Sequence, residues 1–339
     1  MPTNELITSS LAEGLGHIVL NRPAAYNALN TAMVTAMHTT LRAWESENLD
    51  AVLIRSDSVK AFCAGGDIKN IRQQSVDGDF TMIEDFFARE YAMNACIATY
   101  PKPVISLING LCMGGGMGLA IHGSFRVVSE RATLAMPETA IGFFPDIGAS
   151  YFLPRLPGSL GLYLGLTGYQ MDYRDALYCG LATHYVPSDI IDAVPDMLAE
   201  RRGTPVATVL AGLNKTRPEA GGHLADQRSE IDWCFGAPTL GDIESRLVAI
   251  DTTWSRSVVE KMRSLSPQSL EITVQLLRWG GQRSLAECLQ TELRMTRIIT
   301  GSEDFIEGVR AVLVDKDRNP TWAENTTQSL DRLLEPMQA

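Results

Sequence analysis

The chain has 339 residues, 45% of them hydrophobic and 20% charged, with a formal net charge of -11. That length supplies a core for one large domain or two closely packed units, and the composition excludes fibrous, disordered and low-complexity classes. The acidic balance argues against a broad nucleic-acid footprint, which needs a basic face, yet a local basic cluster could still hold a small phosphorylated ligand.

In chain order, HIVLNRP reads as a first strand ending at Asn21-Arg22-Pro23. Asn30 is placed to cap a helix running toward Glu47, with Leu29, Met33, Met37, Leu41 and Trp44 at helical spacing. AVLIRS (51–56) and VISLI (104–108) are buried strands, separated by an amphipathic helix over 81–99. Gly110 to Gly118 supplies a turn into another helix. Strands and helices alternate to about residue 130, the signature of βα repeats over a largely parallel sheet. Residues 142–168, rich in Gly, Pro and aromatics, read as irregular chain. Asp172 is a plausible cap, a short strand lies near Tyr185-Val186, and only helices follow from about residue 188, at 267–280, 284–299 and 303–315 among others. We expect an α/β core over residues 1–187 and a helical region over 188–339 packed on it.

The six cysteines, Cys63, Cys96, Cys112, Cys179, Cys234 and Cys288, form no CxxC pair and read as reduced core thiols. The N-terminal stretch shows no basic region followed by an apolar run, and the apolar runs around 104–121 are too short and broken for a membrane span. A cytoplasmic protein without membrane or nucleic-acid partners is the expectation.

Most familiar chemistries lack their fingerprints. No two of the five histidines are spaced i,i+4, and HExxH, GxSxG and Walker A sequences are absent, as is a GxGxxG after a strand. Two glycine segments remain, KAFCAGGDIKN (60–70) and NGLCMGGGMGLA (109–120), each following a predicted strand. Alone, either could be a tight packing turn. Together they can aim backbone N–H groups at one point with no side chain in the way, which is what an oxyanion hole requires. In MPETAIGFFPDIG (136–148), Glu138 and Asp146 lie among apolar residues that tend to raise a carboxyl pKa or force pairing; each is a candidate for proton transfer or attack, and a helix cap is the plain alternative. Glu90, in FFAREYAMN, is a third candidate, although by itself it reads as a solvated helix residue.

At these residues the chain resembles the crotonase (enoyl-CoA hydratase/isomerase) superfamily, and within it the branch that hydrolyses 3-hydroxyisobutyryl-CoA in valine breakdown. LNRPAAYNALN, AFCAGGDIK, the GGG turn, FRVVSERATLAMPETAIGFFPDIGASYFLPRLPG, SPQSLEITVQLLRWG and EDFIEGVRAVLVDKDRNPTW carry the resemblance over nearly the whole chain. It implies a spiral of stacked ββα units, a coenzyme A thioester as substrate, and a C-terminal region covering the acyl site. No metal or redox cofactor is implied, coenzyme A being part of the substrate; a homo-oligomer is compatible with it.

The resemblance puts the oxyanion donors on Gly66 and Gly115, the acidic pair on Glu138 and Asp146, and a substrate-site glutamate on Glu90, with Ala64 and Asp67 beside the substrate. Hydratases carry a second catalytic glutamate where this chain has Gly118, so the resemblance favours hydrolysis over hydration. A lysine common after the Arg-Pro of the opening motif is Ala24 here, leaving Arg22, Lys60 and Lys69 as contacts for the coenzyme phosphates. The rival readings are an isomerase- or hydratase-type reaction using Glu138, and a non-catalytic acyl-CoA-binding protein.

Overall fold

β1 (Ile7–Ala12) and β2 (Leu15–Leu20) pair antiparallel across Glu13-Gly14, both with positive φ, 53° and 81°, as a two-residue hairpin requires. β1 faces solvent along most of its length and so carries no alternating pattern; the expected first strand is in fact the second. The computed structural model describes residues 6–213 and 221–324; the first five residues of the N-terminal stretch lie outside them.

Six of the seven remaining strands named here come in pairs. β3 (Ala51–Ser56) is followed by β4 (Ala61–Cys63), β5 (Val104–Ile108) by β6 (Leu111–Met113), and β7 (Phe125–Val128) by β8 (Thr133–Ala135); β9 (His184–Tyr185) is the last among the described residues. The first member of each pair joins a six-stranded sheet of order β1-β2-β3-β5-β7-β9, parallel apart from the hairpin. The second members form a parallel three-stranded sheet, β4-β6-β8. Helices Ile68–Asp77 and Phe80–Ala98 follow β4, and Gly115–Ile121 follows β6. Such a repeat is a spiral of stacked ββα units, with helices alone after β9 among the described residues.

Two compact units, each discontinuous in sequence, make up the described chain. The first contains residues 6–66, 89–135, 170–213 and 221–225; the second contains 67–88, 136–169 and 226–324. All nine strands named above belong to the first. One cluster of its core joins Leu53, Ile105 and Val127 of the large sheet to Val194, Leu198 and Leu210 of the helices Val194–Ala199 and Val206–Leu213.

The second unit is helical. Residues 142–168 are not the irregular chain expected: they hold helices Ala149–Phe152 and Leu160–Thr167 and a 3-10 turn at Leu153–Arg155. The glycines and proline that suggested a loop act as element ends, with Gly148 (φ 84°) before the first helix, Pro154 in the first turn of the 3-10 segment and Gly168 (φ 61°) closing the second helix. Further along, Ser266 caps Pro267–Gly280, and Ser284 with Glu287 forms a capping box for Leu285–Thr300. The expected helix over 303–315 is α-helical at Glu303–Val309 and continues as a π-helical turn, Arg310–Val314.

Candidate active site

In the first unit, the segment after β4 is held by the loop after β2. Ala64 N–H donates to Tyr26 O at 3.0 Å and Leu29 N–H to Gly65 O at 2.8 Å. Asn27 is fully buried at φ 57°; its side-chain nitrogen donates to Ser56 Oγ (2.7 Å) and Phe62 O (3.0 Å), while its Oδ1 accepts from Arg22 N–H (2.8 Å). The guanidinium of Arg22 donates to Ala28 O at 2.8 Å within the same loop. These bonds fix where the Gly65-Gly66 backbone presents its amides.

The second glycine segment meets that backbone. Gly114 takes φ 48° with ψ -122°, and Gly115 opens the helix Gly115–Ile121. A Cβ on Gly115 would stand 3.2 Å from Gly66 N and collide with Glu90 Oε1. A Cβ on Gly65 would lie 3.5 Å from Gly115 N. The Gly66 and Gly115 amides are therefore neighbours, and only glycine at 115 leaves room for the carboxylate beside them. Glu90 is 2% exposed, not the solvated residue its local sequence suggests. One turn later, the fully buried Asn94 leaves both amide atoms without a hydrogen-bond partner among the described residues. Ile83, Phe87, Glu90, Asn94 and Ile97 recur at helical spacing, so two polar residues inside a buried stripe were the overlooked signal.

Cys63 adjoins this site but is no nucleophile. Burial, with the Glu90 charge adding to it, pushes its thiol up to about 12, and its Sγ lies 3.1 Å from Asn27 O. Ala64 and Lys60 are exposed.

Glu138 and Asp146 belong to the second unit and are both buried. Glu138 starts a 3-10 turn, Glu138–Ile141, closed by Gly142 at φ 70°. Thr139 Oγ1 donates to Leu166 O (3.2 Å), Ser266 N–H donates to Thr139 O (3.3 Å), and a Cβ on Gly142 would collide with the backbone of Asp304. Asp304, itself buried, accepts from Ser266 Oγ (2.5 Å) and Ala323 N–H (2.8 Å). Between Glu138 and Asp146 in sequence, Phe143 stacks on Phe144 (4.5 Å) and Phe87 (5.7 Å), an apolar setting in keeping with that read from the sequence. Asp67 precedes the helix Ile68–Asp77, on which Lys69 is exposed. A surface cleft of about 530 Å³ between helices Leu240–Ile250 and Thr253–Arg263 contains none of these residues.

An enoyl-CoA hydratase/isomerase family model matches residues 15–334. This chain belongs to the enoyl-CoA hydratase/isomerase family. Within it, the chain is 39% identical to the mitochondrial 3-hydroxyisobutyryl-CoA hydrolase of Danio rerio over 320 residues, 92% of this chain and 83% of the relative. The Xenopus tropicalis protein of the same name is 42% identical over 314 residues, covering 91% and 81%. Two solved structures are similar throughout. An enoyl-CoA hydratase from Rhodobacter sphaeroides 2.4.1 aligns at TM-score 0.89 and 38% identity, over 98% of each chain. A carnitinyl-CoA dehydratase from Mycobacterium thermoresistibile aligns at TM-score 0.91 and 37% identity, over 99% of this chain and 98% of the other.

The expected cytoplasmic location is overturned by the same relatives, which are mitochondrial proteins. Free thiols do not separate one reducing compartment from another. No helix among the described residues is long and apolar enough to cross a membrane.

Proposed function

We propose that this family member hydrolyses a short-chain 3-hydroxyacyl-CoA thioester, 3-hydroxyisobutyryl-CoA, to 3-hydroxyisobutyrate and free coenzyme A. The observation that carries hydrolysis over hydration is Gly118, buried in the helix that begins at the paired amides. Adding water to an enoyl thioester at Cβ needs two placed groups, and a glycine supplies no second one. The similar solved structures are a hydratase and a dehydratase, so overall fold does not separate these reactions, and the reading rests on residue 118.

In the proposed reaction the thioester oxygen takes the N–H groups of Gly66 and Gly115. Charge grows on that oxygen during attack, and each aligned donor contributes roughly 3 kcal/mol to the transition state. Glu138 either attacks the carbonyl, giving a mixed anhydride that water then cleaves, or removes a proton from the attacking water; both routes expel the coenzyme thiolate, which leaves protonated. Asp146 holds the acyl hydroxyl or orients Glu138 and the water. Glu90 lines the acyl side of the amides, with Ala64 and Asp67 flanking the substrate. Lys60 and Lys69, both exposed, and Arg22 offer positive charge to the coenzyme phosphates.

Thiol release from 3-hydroxyisobutyryl-CoA, run beside hydration of crotonyl-CoA, tests the reading. Steady thiol release with negligible hydration is expected. Rapid hydration without thiol release would overturn it.

A further inference from the structure

The turn that carries Asp146 is strained and is held from far away in sequence. Ile147 adopts φ 55°, a left-handed conformation that a β-branched side chain rarely takes, and Gly148 follows at φ 84°. Such a turn persists only where its surroundings over-determine it. Here they do: Gly148 N–H donates to Glu292 Oε2 (2.6 Å), Ser150 N–H donates to Glu292 Oε1 (3.0 Å), and Ser150 Oγ donates to the same oxygen (2.5 Å). Ala149 N–H closes the turn on Asp146 O at 2.9 Å. Glu292 projects from the helix Leu285–Thr300, within the buried stripe Cys288, Glu292, Met295 and Ile299, and is 0% exposed. An apolar residue would fill that space without the cost of burying a carboxyl, but it would leave two buried N–H groups unpaired.

We propose that Glu292 is the positioning residue for Asp146: its carboxyl group holds the Ile147–Gly148 turn and so fixes the direction in which Asp146 presents its side chain to the reaction. This rests on the reading of Asp146 as a site residue. Burial is the main cause that raises the Glu292 carboxyl to about 8, with the Asp146 charge adding to it. Glu292 touches no substrate; it acts through the turn.

The test is thiol release from 3-hydroxyisobutyryl-CoA by the wild type, Glu292→Gln, Ser150→Ala, Asp146→Asn and the double variant Glu292→Gln/Asp146→Asn. Glutamine keeps the volume but sets an amide donor against one of the two N–H groups. Glu292→Gln should lower kcat by about ten- to a hundredfold with KM nearly unchanged, the scale of a small misplacement at a reacting centre. In the Asp146→Asn background it should add almost nothing, because both changes remove one function. Wild-type kcat in Glu292→Gln, or losses that multiply in the double variant, would overturn the proposal. If circular dichroism shows Glu292→Gln unfolded, Ser150→Ala with and without Asp146→Asn decides by the same two criteria. Near-normal turnover by Asp146→Asn alone would instead remove the reading of Asp146 on which the proposal stands.

Discussion

A Cβ on Gly115 would stand 3.2 Å from Gly66 N and inside the space of the Glu90 carboxylate. Gly115→Ala keeps a helix-compatible backbone but forces Glu90 aside and crowds the second amide. The obstacle is the end of a side chain, so the variant should fold. Its kcat should fall by about 10²–10³, the range for loss of an oxyanion donor. Melting temperature and steady-state thiol release on the same preparation check this; full activity would detach the amide pair from catalysis.

Glu138→Gln should lower kcat by at least about 100-fold, since positioned proton transfer commonly contributes 10²–10⁴. Asp146→Asn should also impair turnover, and its pattern separates two roles. If Asp146 grips the acyl hydroxyl, the loss shrinks for thioesters without that hydroxyl. If it orients Glu138 or water, the loss is the same for every acyl group. Hydroxyacyl and plain acyl thioesters assayed side by side give the answer.

The Glu292 carboxyl should make stability fall with rising pH. Burial is the main cause of its elevation from 4.5 to about 8; the Ser150 and Gly148 hydrogen bonds oppose it and the Asp146 charge adds to it. Between those values the folded chain keeps a proton that the unfolded chain has lost. The contribution is therefore fully present below the unfolded value and is lost as pH rises through the folded one, by up to about 1.4 kcal/mol per pH unit. Thermal melts from about pH 5 to about pH 8 should show a steeper fall for the wild type than for Glu292→Gln, which has no proton to lose there. Parallel slopes would count against a raised Glu292.

Truncation after residue 187 should give an insoluble or unfolded product. Val194, Leu198, Val209 and Leu210 pack in one cluster with Leu53, Ile105 and Val127 of the large sheet. Removing them bares an apolar sheet face, the kind of patch that drives aggregation. A soluble, active 1–187 fragment by size-exclusion chromatography and thiol release would contradict this.

The sequence by itself determined whatever rests on local pattern. The buried runs 51–56 and 104–108 became β3 and β5, and Asn30, Asp172 and Ser266 cap helices through their own side chains. The two glycine segments stood out because runs of missing side chains are visible in a string of letters, whereas Gly118 took its meaning from the family resemblance. Tertiary structure alone decided the rest. That β3 and β4 part into different sheets is set by partners tens of residues away. Glu90 belongs to a buried helical stripe that the sequence does show, but that its carboxylate lies beside Gly115 is set by the fold. Glu292 carries no local mark beyond a carboxylate in a buried stripe, and its bonds reach Gly148 and Ser150 across 144 and 142 residues. A hydrogen bond closed by the fold leaves no periodicity in the chain, which is why the Glu292 bonds were hidden while the glycine segments were not.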